Sequence, residues 1–145
     1  RYQKVVLAMH AEELVELINS QRNNFTLATP SYSESAILAY HLREDVLVFG
    51  HGSYHGRQMD INTDWLNYQG TGIAIFSKSE DVNDYAKYFD SFTHIILPFK
   101  ETQYHLGIGK GFKYEVYNKG VLEPIRKEFY KIPAWLPAGR CSMYD

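Results

Sequence analysis

Short apolar runs alternate with stretches of helical pattern along this chain, and that alternation constrains the fold more than any single motif. Tyr2 to Gln21 contains neither Gly nor Pro, and its Leu7, Ala11, Leu14 and Ile18 fall on one helical face. The spacing predicts one helix ending at Asn23-Asn24. Phe25 to Thr29, stopped by Pro30, reads as a strand. Ser31 or Ser33 can cap a helix that runs through Arg43, with Ala36, Ile37, Ala39 and Tyr40 packing inward. Val46 to Phe49 and Gly72 to Phe76 are the next strands. Ser79 then caps a helix from Glu80 to Phe89, whose early acids suit the helix dipole. His94 to Phe99 is a further strand. Gln103 to Ile108 and Phe112 to Tyr117 alternate around Gly109-Lys110-Gly111 and read as an antiparallel hairpin. Pro124, Pro133 and Pro137 leave the last stretch irregular.

This order predicts an α/β layer fold: a Rossmann-like domain with a mostly parallel central sheet and a C-terminal antiparallel hairpin. Phe25 to Thr29, Val46 to Phe49, Gly72 to Phe76 and His94 to Phe99 are expected as neighbouring strands. No repeat, charge block or linker divides the 145 residues, so residues 1–145 read as a single α/β domain. The chain opens on Arg1 with no initiator Met and no signal-peptide pattern, which reads as a domain excised from something longer.

Composition removes several function classes. A formal net charge of -2 argues against a nucleic-acid binder that works through a broad basic surface. No apolar run approaches the roughly 18 residues of a membrane helix. The single cysteine, Cys141, excludes an internal disulfide and a Cys-based zinc cluster, and it has no nearby His to activate it as a nucleophile. The 12 tyrosines fit amphipathic surface and edge packing, or stacking on carbohydrate.

Few motifs carry chemistry. Gly107-Ile108-Gly109-Lys110-Gly111 resembles a phosphate loop, but such a loop needs a strand before it, a helix after it and the full glycine spacing; the run reads as a turn. Of the six histidines only His51 and His55 share a segment. With Asp60 they could hold zinc, but open zinc sites favour rigid elements, so no metal and no cofactor are expected. His94 reads as a satisfied histidine at the core edge. There is no nucleophile elbow and no Walker sequence, so no catalytic residue is assigned. Glu12, Glu13 and Glu16 read as a solvated helix face.

The segment Phe49-Gly50-His51-Gly52-Ser53-Tyr54-His55-Gly56-Arg57-Gln58-Met59-Asp60 has the best claim to function. It follows an apolar strand and has neither helical nor strand period. Long connections of that kind are functional or disordered, and disordered linkers lack such aromatics. In open α/β sheets ligands lie beyond the carboxyl ends of the strands. The Pro30-Ser31-Tyr32-Ser33 turn, the His51 to Asp64 loop and the segment after Phe76 all leave those ends. Arg57 can form a bidentate pair with a phosphate or carboxylate, or pair with Asp60 or Asp64 and tie the loop down. Tyr32, Ser33, His51, Tyr54, His55, Arg57, Gln58, Asp60 and Trp65 are therefore the candidates for binding a ligand or organising the loop.

Four segments carry a resemblance: Ala28 to Leu42 (ATPSYSESAILAYHL), Val46 to Gly50 (VLVFG), Gly56 to Trp65 (GRQMDINTDW) and Gly70 to Phe76 (GTGIAIF). Together they resemble the soluble C-terminal domain of bacterial polytopic (GT-C type) glycosyltransferases of the dolichyl-phosphate-mannose-protein mannosyltransferase-like and aminoarabinose-transferase-like kind. Tyr32, Tyr40, Arg57, Gln58, Asp60 and Trp65 carry the match. Met59 departs from it, standing where an aromatic is common, and Trp65 sits off its usual spacing. The resemblance implies a mannosyltransferase-like parent enzyme that passes a sugar from a polyprenyl-phosphate donor to a lipid, glycan or protein acceptor at the periplasmic or extracytoplasmic face of the cytoplasmic membrane. It implies the membrane-embedded part of the parent chain as partner, and no nucleic acid. The family's catalytic acid sits in an early membrane loop, so this domain alone is expected to be inactive. Two rivals remain open: a free-standing α/β enzyme that binds a nucleotide or sugar phosphate at the strand ends, and an interaction module docking through Trp135 and Leu136.

Overall fold

The computed structural model describes residues 2–50 and 63–125. In chain order the elements are α1 (Tyr2–Met9), α2 (Ala11–Gln21), β1 (Thr26–Thr29), α3 (Tyr32–Leu42), β2 (Leu47–Val48), a short 3-10 turn (Trp65–Tyr68), β3 (Ile73–Ser77), a longer 3-10 segment (Glu80–Tyr88), β4 (Phe89–Phe99), β5 (Thr102–Phe112) and α4 (Tyr114–Tyr117), which continues as a π-helical turn (Asn118–Leu122).

The strands form one five-stranded sheet in the order β2-β1-β3-β5-β4. β1 pairs in parallel with β2 and β3, whereas β5 runs antiparallel to both β3 and β4. The expected mostly parallel, Rossmann-like layering is thus corrected to a mixed sheet dominated by antiparallel pairing. The three parallel strands have only 4, 2 and 5 residues, while β4 and β5 have 11 each. The cause lies in two local features. The segment Glu80–Tyr88 enters β4 with no intervening loop, so it makes no crossover to a parallel strand. Lys100 and Glu101 then adopt φ of 50° and 62°, a two-residue turn that sends the chain straight back as β5. β5 consequently inserts between β3 and β4, and His94 to Phe99 does not neighbour β3.

The hairpin expected around Gly109-Lys110-Gly111 does not form, because that run lies inside β5 and Tyr114–Tyr117 is helical. These glycines serve packing. A Cβ on Gly107 would stand 2.3 Å from Phe92 Cζ, and one on Gly109 would stand 2.5 Å from the Phe89 ring. The strand backbone is bare where the two aromatic rings lie on it.

The apolar runs of β1 and β3 are buried on both faces of the sheet, which is why they read as continuous rather than alternating. On one face Leu27, Ala74, Phe76, Tyr104 and Leu106 meet Leu7, Leu14, Ile18 and Leu38 of the helices. On the other, Ala28, Ile73, Ile75 and Phe49 meet Trp65, Val82, Tyr117 and Val121. Each fully buried Leu, Ile or Phe contributes about 1.5–3 kcal/mol. The expected single N-terminal helix is two: it breaks at His10, whose φ of -125° and ψ of 30° are not helical. α3 turns inward a face that only partly matches the one expected: Ile37 and Ala39 pack against the core, but Ala36 is exposed. Glu34, Ser35 and Leu38 are buried, while Tyr40 is 80% exposed.

Candidate functional site

β1, β2 and β3 run in the same direction, so their carboxyl ends share one edge of the sheet. From β1 the chain passes through α3 to β2 on one side, and later returns to β3 on the other side of β1. Leu38 of α3 packs in the helical layer, whereas Trp65, which precedes β3, packs against the opposite face. Connections diverging to the two faces create a crevice between adjacent strand ends. A cleft of about 260 Å³ opens there, walled by Pro30, Ser31 and Glu34 after β1 and by Ser77, Lys78, Ser79, Asp81 and Tyr85 at and after the end of β3.

Hydroxyl groups build the floor of this edge. Buried Thr29 and Ser35 lie with Oγ1 and Oγ 2.7 Å apart, and Ser35 Oγ donates to the Leu47 carbonyl at 2.8 Å. The Ser31 amide donates to Thr29 Oγ1 at 3.2 Å. One network therefore joins the end of β1, the first turn of α3 and β2. Ser31 occupies the N-cap position, but its hydroxyl meets Ser33 Oγ at 3.0 Å instead of a helix amide. On the other wall Ser79 caps as expected, its Oγ accepting from the Asp81 amide at 3.1 Å. Ser77 Oγ accepts from the Ser79 amide at the same distance.

The charged pair across the cleft is Glu34 and Lys78. Lys78 Nζ lies 3.0 Å from Glu34 Oε1, and the Glu34 side chain is 5% exposed. Ser31-Tyr32-Ser33-Glu34 spells a capping box, in which Glu34 would reach back to the Ser31 amide. Here that amide is taken by Thr29, and Glu34 turns to Lys78. At the rear, Gly50 has φ of 81°, and its amide donates to Tyr117 Oη at 3.0 Å. The Tyr85 ring closes over it, and burial together with Tyr88, Asp84 and Asp81 raises the Tyr85 phenol. Below, Tyr104 Oη donates to the Gln3 carbonyl at 2.7 Å. Burial, with help from Glu34 and Tyr2, pushes the Tyr104 phenol up to about 12.

The lining sets hydroxyls, two carboxylates and one ammonium, already paired, among the apolar surfaces of Pro30, Val82 and the Tyr85 ring. Such a lining can exchange hydrogen bonds with a neutral polyhydroxy ligand, whereas a phosphate would need an unengaged cation.

Of the residues expected at a site, Ser33 and Tyr32 are exposed at the start of α3, beside the cleft and outside its lining. Trp65 is 2% exposed, packed 4.8 Å from the Tyr117 ring and 5.6 Å from Phe49. It is a core residue that no ligand in the cleft can stack on. His51, Tyr54, His55, Arg57, Gln58 and Asp60 lie outside the described residues, as do Trp135 and Leu136. Glu34, Lys78 and Tyr85 escaped the sequence reading, because no local spacing links residues 34, 78 and 85. Among the described residues no group of three or more His, Cys, Asp or Glu could hold a metal ion, and no helix is long and apolar enough to cross a membrane. No family model, curated protein or solved structure matches the chain.

Proposed function

We propose that this chain is the extramembrane domain of a polytopic membrane glycosyltransferase, whose parent enzyme uses a polyprenyl-phosphate-sugar donor at the extracytoplasmic face of the cytoplasmic membrane. Its partner is the membrane-embedded part of the parent chain. The domain roofs the membrane active site and assists recognition of the donor sugar or of a lipid, glycan or protein acceptor; the chemical step belongs to the membrane part.

The observation that supports this reading is where the resembling segments fall. Ala28 to Leu42 supplies one wall of the cleft, Val46 to Gly50 supplies the glycine beneath Tyr85, and Gly70 to Phe76 contains most of β3, which leads into the other wall. Segments that resemble the family thus converge on one crevice of mixed polar and apolar lining. The lining of hydroxyls and carboxylates suits a sugar or a polar acceptor group.

The test is sugar transfer by the complete gene product in membrane vesicles supplied with a polyprenyl-phosphate sugar. The reading expects transfer, and expects Asp81→Asn to reduce it without changing the amount of folded enzyme. A gene product with no membrane-spanning segments, or no transfer from any such donor, overturns it.

The position of the cleft at diverging strand ends also favours a second reading, a free-standing enzyme for a nucleotide or sugar phosphate. That reading requires the 145-residue chain to bind such a ligand by itself. The engagement of Lys78 with Glu34 weighs against it.

A further inference from the structure

Away from the cleft, the outer hairpin carries a cluster the sugar-transfer reading does not use. His94 of β4 and His105 of β5 meet with Nε2 and Nδ1 2.8 Å apart, their ring centroids separated by 4.9 Å. The register sets Gly107 opposite His94 and Ile96 opposite His105, so the imidazoles are diagonal neighbours on one sheet face. Asn83 Nδ2 lies 3.0 Å from His94 Nδ1, and the same nitrogen donates to the Glu80 carbonyl at 3.2 Å.

These contacts specify the protons. An amide nitrogen only donates, so His94 Nδ1 is an acceptor and the His94 proton sits on Nε2. Nε2 therefore donates to His105 Nδ1, and the His105 proton sits on its own Nε2. Each ring accepts a hydrogen bond at one nitrogen and is therefore neutral in this arrangement; burial, reinforced by His94 and opposed by Glu80, lowers the His105 pKa. Two neutral imidazoles, held on rigid strands with their facing nitrogens sharing one proton, are a chelate in waiting.

We propose that His94 and His105 form a two-nitrogen site for a divalent transition-metal ion of the class that favours imidazole: Cu²⁺, Ni²⁺ or Zn²⁺. The metal takes the place of the proton between the rings. That proton moves from His94 Nε2 to His94 Nδ1 by way of solvent, and no net proton is released. The Asn83 side chain rotates so that its oxygen accepts from the new Nδ1–H, giving up the bond of its nitrogen to the Glu80 carbonyl, and so supplies the outer hydrogen bond that orients metal-binding histidines. Two metal–nitrogen bonds of about 2.0–2.1 Å at a tetrahedral angle separate the nitrogens by about 3.3 Å. The rings need to part by only about half an ångström, a small torsional adjustment for two side chains that are neither fully buried nor rigidly enclosed. Water fills the remaining positions. With two protein ligands the site binds in the micromolar range, prefers Cu²⁺ over Ni²⁺ and Zn²⁺, and rejects Mg²⁺ and Ca²⁺, which require oxygen ligands. This inference is independent of the sugar-transfer reading.

The experiment is a titration of the metal-free 145-residue chain with Cu²⁺ and with Zn²⁺ at neutral pH, followed by calorimetry and by the imidazole proton resonances. The expected result is one Cu²⁺ per chain, with the resonances of His94 and His105 perturbed first. His94→Gln and His105→Gln each weaken binding at least tenfold, Asn83→Ala weakens it about tenfold, and His41→Asn leaves it unchanged. Copper spectra should show two nitrogen ligands. If His105→Gln fails to fold, His94→Gln and the wild-type resonances still decide the matter. Binding that survives both histidine substitutions, resonance changes confined to other histidines, or no binding in the micromolar range overturns the proposal.

Discussion

Lys78 Nζ lies 3.0 Å from Glu34 Oε1, joining the residue just past β3 to the first turn of α3 across the mouth of the cleft. The pair is asymmetric: the Glu34 side chain is 5% exposed and that of Lys78 is 27% exposed. Glu34 therefore depends on Lys78 more than Lys78 depends on Glu34. Removing one partner of a buried ion pair strands the other charge, at about 3–5 kcal/mol when both are enclosed. Lys78→Met is expected to cost about 1–3 kcal/mol, reduced by the exposure of the lysine. The double variant Lys78→Met/Glu34→Gln should recover part of that loss. Urea unfolding of the three proteins measures it, and strict additivity would show that the two side chains are not coupled.

Gly50 and Tyr85 make a second coupled pair. Gly50 has φ of 81°, and a Cβ there would stand 2.9 Å from Tyr85 Cε1. Gly50→Ala thus meets both backbone strain and a ring, and is expected to cost about 1–3 kcal/mol. In a Tyr85→Ala background the steric part disappears, so the same substitution should cost less. Equal costs in the two backgrounds would show that Tyr85 does not press on this turn.

Trp65 separates a core role from a ligand role. It is 2% exposed, and among the described residues its Nε1 has no hydrogen-bond partner. Trp65→Ala should cost about 3–5 kcal/mol. Trp65→Phe should cost much less, because it keeps the aromatic packing and removes the unpartnered N–H. A Trp65→Phe domain that folds normally while the parent enzyme loses sugar transfer would return this residue to the site.

Tyr104 sets a limit in alkali. Its folded pKa of about 12 lies above the ordinary 10.0. A raised pKa means that the folded state holds the proton more tightly than the unfolded state. That stabilisation is complete below about pH 10 and is lost as pH rises towards and through 12. Tyr104→Phe should flatten this alkaline decline, and should cost about 1 kcal/mol at neutral pH through loss of the bond to the Gln3 carbonyl. Thermal melts of both proteins across the alkaline range test the sign. An unchanged decline in the variant would assign the effect elsewhere, with Tyr85, also raised by burial, as the next group to examine.

The isolated 145-residue chain is expected to transfer no sugar from a polyprenyl-phosphate donor, because the resemblance puts the catalytic acid in a membrane loop outside it. Reproducible turnover by the purified chain would refute the division of labour proposed above.

The amino-acid sequence by itself determined where β1, β2 and β3 lie, where α3 and the Ser79 cap begin, and that strand ends would gather near Pro30 and beyond Phe76. Those features are local: a strand buried on both faces is a continuous apolar run, and a cap is a hydroxyl one residue before a helix. The direction of β5 was not local. It follows from a Lys100-Glu101 turn at positive φ, an unusual conformation for both residue types. The glycines that resembled a turn leave room for Phe92 and Phe89, which lie 15 and 20 positions before Gly107 and Gly109 in sequence. The same distance in sequence hid the cleft. Glu34, Lys78 and Tyr85 meet only once β1 and β3 have paired, and the place of Trp65 in the core is set only by Phe49, Phe112 and Tyr117 around it. Periodicity and capping report on neighbours along the chain, whereas the contacts that build this cleft and enclose Trp65 are made across the sheet, where tertiary packing alone decides which side chains meet.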